Sequence, residues 1–259
     1  MASGCIVVGV DGTARADTAA EWAAGEALRV RAVLRVVHVG PVDSADHSAR
    51  AARRLLASFP GLEVEAALVP GVPAGALAAQ AAGAELLVLG VRGDGTPLGP
   101  TACALSERSL VAVALVPSRP RAGGRAADRI AVGVGAPRPA GRALEFAFER
   151  ARNRGLGLRA IRAWKAPVPI GPLLPPEADR ATWEDQEVQS LSDALRPWKE
   201  RFPEVPVLED VVLLSPERAL ATASERAPLL VVGRRGAGLG PATAGLTDLP
   251  HGLVVVVPE

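Results

Sequence analysis

The sequence predicts an α/β fold of two doubly wound, five-stranded parallel-sheet domains in tandem. Short apolar runs bounded by glycine, such as residues 86–89, alternate with segments of helical periodicity, which is typical of parallel strands joined by helices. The loop after one such strand then recurs 143 positions later, with Gly233, Arg235 and Gly236 in place of Gly90, Arg92 and Gly93. The chain is therefore one structural unit written twice.

The first unit is predicted from an alternation of strand and helix patterns. Strands are predicted at 5–10, 33–39, 64–69, 86–89 and 111–116, and helices at about 17–30, 45–58 and 73–82, with a short capped segment before the last strand. In the first helix, Trp22, Ala23, Ala27 and Val30 share one face. Right-handed crossovers then give a doubly wound sheet.

The second unit repeats this order with one insertion. Its strands are predicted at 130–134, 158–164, 207–214, 229–232 and 253–257, and its helices at about 140–153, 177–201 and 217–227. The repeat offset grows from 124 to 143 residues, which puts 19 extra residues between its second and third strands. They include the Pro-rich run 166–176. Trp183 and Trp198 in the long helix are expected to pack on their own domain, with an interface as the alternative.

Length and composition set the domain organisation. The 259 residues divide into a domain at 1–118, an exposed Pro-, Gly- and Arg-containing linker at 119–128 and a domain at 129–259. A net charge of +1 argues against nucleic acid and anionic membranes as partners, and no apolar run approaches the roughly twenty residues of a membrane span. Cys5 and Cys103 have no metal or redox spacing and no signal peptide precedes the first strand, so a reduced, cytoplasmic protein is expected.

The loop that begins at Gly90 and Gly93 is the main candidate for a binding site. Glycines after a strand let the backbone aim N–H groups at one point, and a following helix adds its positive end, which favours a phosphate. The same glycines could serve only to make the turn. His38 is expected to be a hydrogen-bonded structural residue and His47 to be solvated. With no grouping of nucleophile, base and acid and no metal-ligand cluster, no enzyme is predicted.

Several segments together resemble a universal stress protein domain, and the resemblance covers nearly the whole chain as a tandem pair. They are residues 6–13, 20–23 and 36–39 and the glycine loop from Gly90. The resemblance implies an adenine nucleotide alpha hydrolase-like, Rossmann-like fold. In ATP-binding members of this family the glycine loop holds the phosphates, and an aspartate at the end of the first strand contacts the nucleotide.

The resemblance implies one ligand, ATP or another adenine nucleotide, in the N-terminal half, with Mg²⁺ accompanying it. The cofactor-binding residues carried over to this sequence are Val10, Asp11, Gly12, Thr13, Val39, Gly90, Arg92, Gly93 and Ser106. It also implies that the two halves pair through their last strands as an intramolecular pseudo-dimer.

The sequence departs from the family motif of Gly, two residues, Gly, nine residues, Gly and Ser or Thr. Cys103 and Ala104 replace its last Gly and hydroxyl residue, a loss expected to weaken phosphate binding by about 2–4 kcal/mol. Cys103 could be a redox-sensitive thiol at a helix start or a small buried residue. In the second half, Gly135 stands where the aspartate should be and residues 244–246 replace the Gly-Ser pair, so that site is expected to be degenerate.

Two functions remain open at this stage. The first is a stress-response regulatory protein that binds one adenine nucleotide in its N-terminal half and acts on an unidentified protein partner. The second is an interaction scaffold of the same fold that binds no nucleotide. Asp11, Gly90 and Gly93 favour the first, whereas Cys103, Ala104 and Gly135 favour the second.

Overall fold

The computed structural model of the chain describes residues 4–41, 46–93, 97–118, 128–135, 140–165, 177–236, 238 and 252–259, with the side chains of 177–180 left out. This part of the chain contains ten strands and seven helices. In chain order they are β1 Cys5–Val10, α1 Ala14–Val30, β2 Val33–Val39, α2 His47–Ser58, β3 Val64–Val69, α3 Pro73–Gln80, β4 Leu86–Val91, α4 Pro100–Arg108, β5 Ala112–Pro117, β6 Arg129–Gly133, α5 Gly141–Arg154, β7 Gly157–Trp164, α6 Glu177–Arg201, β8 Val207–Leu213, α7 Pro216–Arg226, β9 Leu230–Arg234 and β10 Val254–Pro258.

Some predicted features lie outside the described residues. They are nearly all of the linker 119–128, the Pro-rich run 166–176 and residues 244–246 of the second glycine loop. The domain boundaries therefore stay predictions. No helix in the described ranges combines the length and the apolar character needed to cross a membrane.

Helix α1 shows how local sequence sets the element bounds. Thr13 is its N-cap, because the hydroxyl accepts a hydrogen bond from the N–H of Ala16 at 3.4 Å. The helix ends at Arg31, whose left-handed backbone (φ 55°) lets its N–H bond to the carbonyls of Ala27 and Leu28. The helix thus starts three residues before the predicted position 17, because the cap is set by Thr13 and not by the apolar pattern.

All ten strands form one sheet in the order β3-β2-β1-β4-β5-β10-β9-β6-β7-β8. Every neighbouring pair is parallel except β5 and β10, which pair antiparallel with Val254 opposite Leu115, Val255 opposite Ala114 and Val256 opposite Val113. The predicted pairing of the two halves through their last strands is therefore present. It joins two five-stranded parallel halves into a single sheet.

Helices cover both faces of this sheet. On one face a continuous core runs through both halves and includes buried residues of α1, α2, α5 and α6. On the other face each half has its own core, formed with α3 and α4 in the first half and with α7 in the second. Trp198 of α6 stacks on Phe148 of α5 with the ring centroids 6.2 Å apart, so it packs within its own half as predicted.

A buried ion cluster links α1 of the first half to α5 of the second. The Glu26 carboxylate, whose side chain is 2% exposed, accepts a hydrogen bond from Arg154 at 2.6 Å and forms an ion pair with Arg150 Nε at 3.3 Å. Arg150 also approaches Glu85 at 3.5 Å, and Arg29 approaches Glu26 at the same distance. The buried Glu26 carboxylate is thus shared by the guanidinium groups of Arg150 and Arg154, and Glu85 adds a second negative charge beside Arg150.

Replacing Glu26 with alanine should remove the carboxylate that Arg150 and Arg154 share, and Arg150 would keep the half-exposed Glu85 at 3.5 Å. Removing one partner of a buried ion pair typically costs about 3–5 kcal/mol, and we expect Glu26→Ala to lower the free energy of unfolding by that amount. Urea denaturation at neutral pH measures it. The matched control is Glu21→Ala on the exposed face of α1, which should stay within about 0.5 kcal/mol of wild type. Equal effects of the two variants would contradict a stabilising role for the cluster.

Candidate functional site

A cavity of about 500 Å³ opens at the carboxyl ends of β1 and β4. These neighbouring strands are the point at which the strand order of the first half reverses, so the helices that follow them lie on opposite faces of the sheet. In open α/β sheets, ligands bind in the crevice at this point. Residues of α3 and α4 form the outer wall of the cavity.

The structure brings five of the nine predicted site residues to the cavity wall. They are Val10, Asp11, Val39, Gly90 and Arg92. The other four, Gly12, Thr13, Gly93 and Ser106, lie outside the lining.

Three of these residues, Gly12, Thr13 and Gly93, lie in turns nearby, and the fourth, Ser106, is buried. Gly12 and Thr13 form the turn into α1, and Gly12 has a φ of 78° that favours glycine. Gly93 turns the chain after β4 with a φ of 74°. Ser106 is 1% exposed in α4, and its hydroxyl has no hydrogen-bond partner in the described part of the structure.

The cavity wall also contains residues that sequence reasoning missed. The polar ones are Arg15, in the first turn of α1, and Thr101, in the first turn of α4. The apolar ones include Leu77 of α3 and Leu98. A signal existed for Thr101, because it follows Gly99 and Pro100 at a helix start, where side chains approach a ligand bound at the helix end.

Asp11 is held by donors on both carboxylate oxygens. Its Oδ1 accepts from the Thr13 N–H at 3.1 Å and from the Thr13 hydroxyl at 2.5 Å, and its Oδ2 accepts from Arg15 at 3.1 Å. Burial favours the neutral acid and is the largest single influence on the pKa of Asp11. The hydrogen bonds from Thr13 and Arg15 together outweigh it, so the pKa lies below its ordinary value.

Gly90 lets α1 approach β4 at the back of the cavity. A Cβ built on Gly90 would lie 2.4 Å from the backbone oxygen of Arg15 and 2.9 Å from the nitrogen of Ala16. Because these are backbone atoms, no side-chain rotation can relieve the clash. The glycine is therefore required by close packing, in addition to any role in binding.

The first turn of α4 has the properties of an anion-binding site. Its N-cap is Gly99, no side chain of the described residues caps its N–H groups, and no acidic residue lies in its first turn. Thr101 and Ala102 line the cavity, whereas Cys103 does not. The Cys103 thiol donates to Glu107 of the same helix at 3.6 Å. The sulfur expected to obstruct a phosphate therefore lies outside the cavity wall, and Thr101 offers a hydroxyl two residues earlier.

Two histidines support the turn that carries Asp11. His38 Nδ1 donates to the Val10 carbonyl at 2.8 Å, as expected of a structural histidine. The expectation that His47 is solvated is wrong, because its Nδ1 is buried and its ring packs edge-on against His38. A Cβ on Gly12 would lie 2.5 Å from this ring. This contact joins elements that are far apart in the chain, so no local pattern predicts it.

The second half differs at the equivalent place. Gly135 lies in the position of Asp11 and offers no side chain. The start of α5 is instead capped by Glu259, whose carboxylate accepts from the N–H groups of Ala143 at 3.1 Å and Arg142 at 3.4 Å. This carboxylate lies beside Gly233, the counterpart of Gly90. A negative side chain therefore occupies the crevice that in the first half is part of the cavity.

Fold and site together define a class of protein: a tandem pair of doubly wound α/β units joined through their last strands, with a cavity at the switch point of the first unit. Comparison with known proteins identifies the family. The model of the universal stress protein family matches residues 4–57 and 126–247. The chain belongs to the universal stress protein family.

Relatives and solved structures agree with this assignment. Universal stress protein Rv1996 of Mycobacterium tuberculosis is 30% identical over 276 residues, an alignment that covers 90% of this chain and 86% of the relative. Universal stress protein Rv2005c of the same organism is 30% identical over 277 residues, covering 96% and 91%. The crystal structure of a universal stress protein from Archaeoglobus fulgidus superposes over 100% of this chain and 99% of its own, with a TM-score of 0.70 and 17% identity. That structure supports the tandem fold.

Replacing Gly90 with alanine should force β4 and α1 apart. We expect Gly90→Ala to lower the free energy of unfolding by about 1–3 kcal/mol, the usual cost of overpacking. The control is Gly99→Ala, because a Cβ there meets no described atom within 4 Å and the backbone (φ −64°, ψ 159°) suits alanine. Chemical denaturation of both variants tests this, and wild-type stability of Gly90→Ala would contradict the packing argument.

Ionised Asp11 should stabilise the fold, and this contribution to the free energy of unfolding should decrease at acid pH. Because its folded-state pKa is lowered, its contribution is fully present above the unfolded pKa of about 3.9 and is lost as pH falls through the folded value. The stability difference between wild type and Asp11→Asn should therefore shrink as the pH falls below about 4. The control is Asp185→Asn on the exposed side of α6. Urea melts at several pH values measure the difference, and a gap that is constant with pH would refute the assignment.

Proposed function

We propose that this universal stress protein binds one adenine nucleotide, ATP or a close relative, in the cavity of its first half, and that the bound state regulates its contacts with a protein partner. The observation that carries the proposal is the convergence of Asp11, Gly90 and Arg92 with the uncapped start of α4 on one cavity. Each of these groups is one that nucleotide binding requires.

The size and charge of the cavity suit such a ligand. Its volume of about 500 Å³ lies within the range of small-molecule sites. Arg15 and Arg92 contribute two positive charges against the single negative charge of Asp11. The first-turn N–H groups of α4 add the positive end of the helix dipole. Leu77, Leu89 and Leu98 supply an apolar wall against which a base can pack.

Magnesium would enter this site on the nucleotide phosphates. Asp11 is the one carboxylate among the described residues that line the cavity, and both of its oxygens already accept hydrogen bonds. Within the described ranges, no group of three or more His, Cys, Asp or Glu side chains could hold a metal ion. The residues present therefore fit a nucleotide, with its phosphates as the ligands of the ion.

Binding without hydrolysis is the simplest activity for this set of side chains. The polar side chains in the described lining are Asp11, Arg15, Arg92 and Thr101. Arginine remains protonated and threonine is a poor base, while Asp11 has a lowered pKa that makes it a weak one. We therefore propose a binding protein and not an enzyme.

The second half is proposed to bind no nucleotide. Gly135 lacks the carboxylate that Asp11 supplies, and the Glu259 carboxylate at the start of α5 would repel a phosphate in the crevice beside Gly233. One site per chain is the expected stoichiometry. The second half would then contribute its five strands to the common sheet and β10 to the pairing with β5.

A charge placed at the start of α4 gives a direct test. Thr101→Glu puts a carboxylate in the cavity wall while favouring the helix, because an acid in the first turn complements the dipole. Thr101→Gln has nearly the same size without the charge. Like-charge repulsion of about 2 kcal/mol or more should weaken ATP binding at least roughly 30-fold in Thr101→Glu, whereas Thr101→Gln should keep most of it.

The measurement is calorimetric titration with ATP and Mg²⁺, supported by thermal unfolding. Wild type should bind one ATP per chain, and saturation at one hundred times the dissociation constant should stabilise it by about 2.7 kcal/mol. Absence of binding by wild type would sink the proposal and favour the scaffold alternative. Two sites per chain would refute the claim about the second half.

A further inference from the structure

Arg15 lies in the cavity as the partner of Asp11. It is in the first turn of α1, its side chain is 36% exposed, and its Nη2 is 3.1 Å from Asp11 Oδ2. The resemblance to the family did not point to this residue. The proposed function counts this cation only as part of the charge of the cavity, and its pairing with Asp11 gives it a more specific role.

Arg15 competes with any neutral ligand for the hydrogen-bond acceptors of the Asp11 carboxylate. Thr13 satisfies one carboxylate oxygen with its N–H and hydroxyl, and Arg15 satisfies the other. A ribose hydroxyl that donates to Asp11 must share or displace the bond from Arg15. A nucleoside has no anionic group with which the displaced guanidinium of Arg15 could form a new ion pair.

A phosphate changes this balance. The pair between Arg15 and Asp11 is largely exposed to water, and such pairs are weak. A guanidinium binds a phosphate in a bidentate, charge-assisted manner, which is stronger. An incoming phosphate therefore offers Arg15 a better partner than the carboxylate that it leaves.

Packing keeps Arg15 close to the glycine loop. Its backbone oxygen lies against Gly90, at 2.4 Å from the position that a Cβ would take. Gly90 is the next-to-last residue of β4, directly before Val91, from which the chain leaves the strand toward α4. The backbone of Arg15, from which its side chain extends, is thereby fixed between Asp11 and the start of that loop.

We propose that Arg15 makes the site select phosphorylated adenine nucleotides over adenosine by exchanging Asp11 for a ligand phosphate. This inference rests on the proposed function of the cavity. The exchange releases Asp11 Oδ2 to accept from the ribose at the same time. Arg15 is thus a specificity-determining residue, and the ion pair with Asp11 is the resting state that it leaves on binding.

The test compares the affinities of AMP and adenosine, measured by calorimetric titration of the full chain. Wild type should prefer AMP. Arg15→Ala should reduce that preference about tenfold or more, the usual effect of losing a hydrogen bond between charged groups. Adenosine affinity should stay equal or rise, because Asp11 loses a competing donor.

The matched control is Arg53→Ala, which removes the same charge from the exposed side of α2, outside the cavity wall. It should keep the wild-type preference. Circular dichroism melts show whether Arg15→Ala is folded, and Arg15→Lys, which keeps the charge, should retain part of the preference.

Each outcome has a distinct meaning. An unchanged preference in Arg15→Ala, or equal binding of AMP and adenosine by wild type, overturns the inference and leaves the proposed function standing. Equal losses for AMP and adenosine in Arg15→Ala also overturn it, because they indicate a merely structural role. Failure of wild type to bind any adenine nucleotide overturns both.

Discussion

The antiparallel pairing of β5 with β10 is the constraint on which the rest of the structure depends. Each half alone would end in a fully buried apolar strand with one row of unpaired backbone N–H and C=O groups. Pairing satisfies these groups and lets one core run across both halves on the face that carries α1 and α5. The cluster of Glu26 with Arg150 and Arg154 then fixes how the two helices meet, because its charges are buried and must stay matched.

The pairing of the last strands leaves the switch point of the first half free of the interface. The cavity lies there, at the carboxyl ends of β1 and β4. Gly90 shows how closely the two requirements are connected. The glycine that lets α1 pack against β4 also brings Arg15 to the edge of the cavity. The backbone that packs α1 against β4 therefore also shapes the edge of the cavity.

Much of the fold could be predicted from the sequence because its signals are local. The bounds of β1, β2, β3 and α6 agree with the predicted ones, since apolar runs, turns and helical periodicity mark them directly. The site was predicted only in part. Residues next to the glycines and the first strand follow from a local motif, whereas Arg15 and Thr101 belong to the cavity through the packing of separate elements. The burial of His47 against Gly12 likewise depends on how α2 meets the first turn.

The two halves share the residues that the fold needs and differ in the residues at the crevice beside the fourth strand of each half. Both keep the apolar strands and the glycine at the end of the fourth strand, because the sheet and the shared core require them in each copy. Only the first keeps a carboxylate after its first strand. At the end of the second copy Glu259 supplies an internal anion to the start of α5, whereas the corresponding Ser118 binds the backbone carbonyls of Val91 and Arg92. The second copy therefore fills its crevice with a side chain of its own, the Glu259 carboxylate beside Gly233, while the antiparallel pairing of β5 with β10 joins both copies in one sheet.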